Sequence, residues 1–265
     1  MDGRAKMMNR TERHEGKTMQ EKVPVLLHNF SLRACDVDCN NRWKLSSILL
    51  MGQEMGEMHS TNWGFAHEDM VKRGNFFILT RIEINVIRYP VFKQKLYGET
   101  WSNRPKRTIF PRYYRFSDED GNEMVTLSTL WMICDIQTRQ ILTWQQSGGD
   151  FPENLMHPEP LLSPKKIPSP QGEGTMANRR VFYSDLDYNR HMNNARYADW
   201  VCDVLPMSAL AERRIGNFKI NFLAEMSAGQ EADMTLYEYE DQFVVEGSRT
   251  EDQQRTFRAS GEWMR

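Results

Sequence analysis

No stretch of this chain approaches the ~20 consecutive apolar residues that span a bilayer; runs such as SSILLM and NFFIL stop far short of it. Charge of one sign is also missing. The formal net charge is −2, so no global basic field points to nucleic acid. Local basic clusters at 104–107, 165–166, 179–180 and 213–214 read first as solvated faces. Cysteine is scarce, at 35, 39, 134 and 202, and no second pair completes a zinc site of familiar spacing, so reduced, buried thiols are expected. Several motifs are absent: a G-x-S-x-G elbow, H-E-x-x-H, a Gly-rich loop before Lys-Ser/Thr, and a dinucleotide fingerprint. Metal, phosphoryl-transfer and hydride chemistry therefore lack a warrant, and no metal or cofactor is expected. The first 22 residues carry no apolar h-region and read as a loose tail without a signal peptide. A cytoplasmic location without membrane or nucleic-acid partners follows as the expectation.

What the chain does have is 40% apolar residues over 265 positions, enough for one large or two ordinary domains. FPENLMHPEPLLSPKKIPSPQGEG, residues 151–174, holds six prolines. Proline fixes φ and removes a donor, so this stretch reads as a semi-extended linker. It separates a first domain at 23–150 from a second at 175–265.

Both parts show one element order. VLLHNFSLRA is strand-like, and Leu45, Ile48, Leu49, Gly52, Met55 and His59 share a helical face. Strands follow, with an Asp120-Gly121 hairpin turn. After the linker come NRRVFYSD as a strand, a helix before Pro206, and FKINFLAE, ADMTLYEYE, QFVVEGS and TFRASGEWM as strands.

The letters repeat too. Asp36, Asp38 and Asn40 match Asp185, Asp187 and Asn189, each 149 positions on. Ile84-Asn85 matches Ile220-Asn221, and Trp131-Met132 matches Trp263-Met264. Two copies of one architecture imply a duplicated, dimer-like fold in one chain. The copies differ at two positions. Arg42 stands where His191 stands, and Tyr89 where Glu225 stands, so only the second copy keeps both titratable groups.

In SDLDYNRHMNNARYADW, polar side chains occupy every second position from Asp185 to Asn193. One or two such residues suffice to cap a helix; five exceed that. A histidine at a helix N-terminus, with backbone N–H groups alongside, suits a carbonyl developing negative charge. Asp187 could fix its tautomer, and Asn189 could hold the carbonyl or the water. Glu225 closes the apolar strand FKINFLAE, where apolar neighbours would suit a general base. Strand parity puts it on the face opposite Phe218, Ile220 and Phe222, so a bulge or the strand end must re-aim it.

The same stretch, with LTRIEINVIRYP, FKINFLAEM and the duplication, resembles the acyl-acyl-carrier-protein thioesterases. That family ends fatty acid synthesis in plant plastids and has bacterial members. The resemblance implies an α+β tandem (double) hotdog fold, each half a long helix wrapped by an antiparallel sheet. The family's Asp-x-Asn-x-His falls on Asp187, Asn189 and His191, and its Glu-Cys pair on Glu225 and Met226. Methionine is no nucleophile, so the departure favours water activated by Glu225, with direct attack by the carboxylate left open. The implied activity is hydrolysis of a fatty acyl thioester on acyl carrier protein, presented through its phosphopantetheine arm. Acyl-CoA hydrolysis and non-catalytic acyl-thioester sensing stand as alternatives. The acyl chain is expected in the first half, near Met51 and Met55, and Arg179 and Arg180 are the first candidates to dock an acidic carrier. The sequence leaves room for a homodimer.

Overall fold

The structure, a computed structural model, describes residues 22–148, 157 and 163–264. The tail as far as residue 21 and most of 149–162 lie outside the described residues. The first copy runs β1 (Val25–Ser31), α1 (Leu45–Asn62), α2 (His67–Lys72), β2 (Asn75–Val86), β3 (Lys95–Ser102), β4 (Phe110–Ser117), β5 (Glu123–Asp135) and a short β6 (Ile141–Leu142). The second runs β7 (Thr175–Arg180), α3 (Arg196–Val204), α4 (Met207–Glu212), β8 (Ile215–Phe222), β9 (Glu231–Glu238), β10 (Gln242–Arg249) and β11 (Arg255–Trp263).

Among the described residues these strands form one sheet in the order β1-β3-β4-β5-β2-β8-β11-β10-β9-β7, with β6 appended to β5. That order reads the same from either edge once the copies are matched, as the repeat requires. The copies join antiparallel at β2 and β8, where Ile82 pairs with Ile220 and Ile84 with Phe218. These four residues are fully buried, and side chains from both copies form one continuous core. Every second residue of a strand faces one side, so this pairing extends the core across the junction without a seam.

α1 buries the stripe read from the sequence, Leu45, Ile48, Leu49, Gly52, Met55 and His59, against the inner face. Glycine at 52 is required by proximity, since a Cβ there would lie 2.6 Å from Leu127 Cδ2. The second copy departs from the expected long helix: α3 has nine residues and gives way at Pro206 to α4. NRRVFYSD is also not a strand throughout. β7 stops at Arg180, and a 3-10 turn at Tyr183–Asp185 forms where the Asp185 carboxylate accepts the Phe182 amide at 2.9 Å.

The proline-rich stretch does more than connect. Its described part lies as a strap across the outer face of the sheet. Arg81 donates to the Pro164 carbonyl (3.3 Å), and the Ile167 amide donates to Asn221 Oδ1 (2.8 Å). Arg258 donates to the Ile167 carbonyl (2.8 Å) and the Ser169 hydroxyl (3.1 Å), while Tyr239 exchanges bonds with Gln171. Pro164 and Ile167 of the strap are buried against the sheet. The thiols meet expectation only in part: Cys134 is buried and Cys202 half-buried, but Cys35 and Cys39 are exposed.

Candidate active site

The acidic residues of the motif build a loop. Asp187 Oδ1 accepts the amides of Asn189 (2.8 Å) and His191 (3.2 Å), and the Asp187 amide donates to the His191 carbonyl (2.8 Å). The first copy does the same with Asp38, which accepts Asn40 and Arg42 at 2.9 Å each. Both loops turn through a left-handed residue at the matched position, Arg190 (φ 66°) and Asn41 (φ 56°). Asp187 is thus engaged in shaping the loop that presents His191, a local use of aspartate that competes with regular structure.

His191 itself is not at a helix N-terminus, contrary to the sequence expectation, because α3 begins five residues later, at Arg196. Asn193 turns the chain first, accepting the Ala195 amide at 2.9 Å. His191 instead lies beside the segment that follows β8: it forms an isolated antiparallel bridge with Ser227, and the Met192 amide donates to the Met226 carbonyl at 2.8 Å.

That segment carries Glu225, and a bulge aims it. The amides of Leu223 and Ala224 both donate to the Thr256 carbonyl, at 2.8 and 3.1 Å. Two residues thus oppose one, which reverses the side-chain alternation and resolves the parity conflict. The first copy keeps the device, with Ile87 and Arg88 both on the Met124 carbonyl. In the second copy the result is a His191 Nδ1 to Glu225 Oε2 separation of 3.5 Å. Both side chains are partly open to solvent, 41% and 55% exposed, so the apolar enclosure expected around Glu225 is not found.

The matched positions of the first copy do different work. Arg42 donates to the carbonyls of Leu210 and Arg213, both at 2.8 Å, and of Ala211 at 3.3 Å. Tyr89 donates to the Ile215 carbonyl at 2.9 Å. Where the second copy brings together an imidazole and a carboxylate, the first clamps the α4–β8 connection.

The other expected residues are dispersed. Asn189 is exposed at the loop tip, its side chain on the Tyr188 phenol, which meets the His67 ring of α2 edge-on at 5.0 Å. Arg179 pairs with Asp203, and Arg180 is exposed on β7. A narrow apolar cleft of about 10 Å³, room for little more than a single water, lies between α1 and the first copy's sheet, lined by Leu49, Gly52, Leu79, Ile82, Leu127 and Tyr114. Its polar side is Gln53 and Asn194, and Gln53 reaches Asn193 of the site loop at 3.4 Å. Met51 and Met55 are not among its lining residues; Met55 is fully buried toward Gly98.

Two neighbours were missed from the sequence. Arg249 donates to the Glu225 carbonyl at 3.3 Å. The Tyr197 phenol lies among Glu225, Arg249 and the Met226 amide, and its pKa is raised, by burial first and then by the Glu225 charge. Carrying the repeat further would have marked Tyr197, which matches Ile48. Among the described residues no group of three His, Cys, Asp or Glu side chains is placed to hold a metal ion, and no helix is long and apolar enough to cross a membrane.

Residues 25–146 match the family model of the acyl-ACP thioesterase N-terminal domain, and residues 169–265 that of its C-terminal domain. A palmitoyl-acyl carrier protein thioesterase of Gossypium hirsutum is 22% identical over 223 residues, 79% of this chain and 54% of that protein. The dodecanoyl-[acyl-carrier-protein] hydrolase of Cinnamomum camphora is 22% identical over 214 residues, 76% of this chain and 56% of that protein. The chain spans about half the length of these curated relatives. Among solved structures, an acyl-ACP thioesterase from Bacteroides thetaiotaomicron superposes with a TM-score of 0.83 at 22% identity, covering 91% of this chain and 98% of that one. A 12:0-ACP thioesterase from Umbellularia californica gives 0.79 at 19% identity, over 91% and 98%. The fold is the tandem hotdog.

Proposed function

The chain belongs to the acyl-ACP thioesterase family, and from that premise we propose that it hydrolyses the thioester joining a fatty acyl chain to acyl carrier protein. The observation that carries the reading is the approach of His191 and Glu225 in one copy only. Two groups 3.5 Å apart are too far for a good direct hydrogen bond, but the separation leaves room for one water to bridge them at the ordinary hydrogen-bond length of about 2.8 Å. Glu225 takes a proton from that water as its oxygen attacks the carbonyl carbon. The C–S bond then breaks, the proton passes to the departing thiolate, and free acid and carrier thiol result. His191 orients the water, and Asp187 shapes the loop that holds His191. Met226 beside Glu225 supplies no thiol, which supports water rather than cysteine as the attacking group.

The cleft in the first copy is the proposed entry for the acyl chain. It admits the chain only if α1 and the sheet part, since its free volume of about 10 Å³ is far below that of a ligand pocket. It is apolar, and its polar side adjoins the site loop, so a thioester at the site can direct its tail inward. Arg180, exposed on β7, is the proposed contact for an acidic carrier; Arg179 is already occupied by Asp203.

The test is hydrolysis of matched acyl-carrier-protein and acyl-CoA substrates by the wild type, Glu225→Ala, His191→Ala and Arg180→Glu. Turnover of the carrier substrate should fall at least 100-fold in the first two, while the third raises KM for the carrier substrate alone. Preference for acyl-CoA would overturn the carrier assignment. Tight acyl binding with no turnover in the wild type would make the protein a sensor.

A further inference from the structure

The bulge that aims Glu225 has a backbone consequence. Once Leu223 and Ala224 share the Thr256 carbonyl, the next residue has left the ladder, and its carbonyl needs a donor from elsewhere. Arg249, the last residue of β10, supplies it through Nη2 at 3.3 Å. Its Nη1 is held by Asp252 Oδ2 at 2.8 Å, and its Nε is buried with no hydrogen-bond partner among the described residues.

The first copy provides the control. It has the same bulge, but Tyr89 in place of Glu225 is anchored by its own hydroxyl on Ile215. Strand irregularities fall between Phe116 and Ser117 and between Gly247 and Ser248. Aligning them places Asp118 opposite Arg249. Asp118 pairs with Arg88, so the copy without the titratable pair carries the opposite charge at this position. A guanidinium that reaches the bulged peptide from the neighbouring strand occurs in the copy that carries Glu225.

We propose that Arg249 is a positioning residue for Glu225: its guanidinium replaces the lost ladder bond and fixes the peptide from which the carboxylate reaches the water shared with His191. The inference rests on the thioesterase reading of that site. Arg249 touches no substrate in this arrangement and acts through Glu225. A planar fork held at one nitrogen by Asp252 is rigid where a lysine would swing, and small displacements of a reacting group are expensive in rate.

The experiment compares Arg249→Gln, Arg249→Lys and Glu225→Ala in the full chain on an acyl-carrier-protein substrate, well below each variant's melting temperature. Arg249→Gln is expected to lower kcat about tenfold with KM within twofold. Arg249→Lys, which keeps charge and stem and remains available if the glutamine variant does not fold, loses at least about threefold in kcat. A kcat within twofold of wild type in the folded variants, with Glu225→Ala collapsed, overturns this inference and leaves the function standing. A Glu225→Ala variant that keeps full activity overturns the reading of the site itself. A loss expressed in KM alone also overturns the proposal, because it would place Arg249 in substrate binding.

Discussion

At the residue scale, a guanidinium buried without a carboxylate is the most informative group outside the site. Among the described residues Arg112 donates to His59 Nδ1 (2.9 Å), Ser60 Oγ (3.1 Å) and Thr100 Oγ1 (3.4 Å), and lies over the Trp63 ring. It sits at the last turn of α1, where the helix dipole favours positive charge. With Nδ1 accepting, His59 Nε2 donates to the Val23 carbonyl at 2.8 Å, so the ring is neutral. Burial, and then the Arg112 charge, push its pKa down from 6.5 to about 3. The unfolded chain therefore binds a proton between about pH 6.5 and 3 that the folded chain does not. Stability from this group is complete above 6.5 and falls with pH through that window. His59→Gln keeps both hydrogen-bonding roles without titrating, so its stability deficit against wild type should shrink from pH 7.5 to 5.5. Urea midpoints at the two pH values check this, and parallel profiles would contradict it. The sequence placed His59 on the buried helix face correctly, but nothing local showed that Arg112 would lie on its ring.

At the element scale, one loop and one bulge were built twice and put to two uses. Asp38 and Asp187 make the same turn, and the bulges before Tyr89 and Glu225 share one geometry. What differs is the side chain presented. Arg42, tied to the α4 carbonyls, is structural. His191, partly exposed and 3.5 Å from Glu225, contributes little to stability. Arg42→Ala should therefore cost about 1–3 kcal/mol in denaturant unfolding, and His191→Ala less than about 0.5 kcal/mol. Equal costs would mean that the second loop is as structural as the first. The need for a bulge was legible from the parity of FKINFLAE. The placement of His191 was not, because Asn193 interposes a turn before α3 and moves the imidazole away from the helix end.

At the scale of the whole molecule, the copies share one sheet, one core and a strap laid over both. Ile82, Ile84, Phe218 and Ile220 are buried at the junction, and Arg258 ties the strap to the second copy while Arg81 ties it to the first. Neither copy keeps a closed core without the other. Calorimetry should show a single transition with calorimetric and van't Hoff enthalpies equal within error, and two resolved transitions would show that the copies melt apart. The sequence by itself determined the duplication, the element order, the helix face of α1 and which copy retains His and Glu. Each of these is written in the period or the identity of residues close together along the chain. Only the tertiary structure decided that Arg42 lands on α4, that Arg249 reaches Glu225, that the linker becomes a strap and that the cleft bypasses Met51 and Met55. Those outcomes depend on strand register and on packing between segments far apart in the chain, which no local pattern carries.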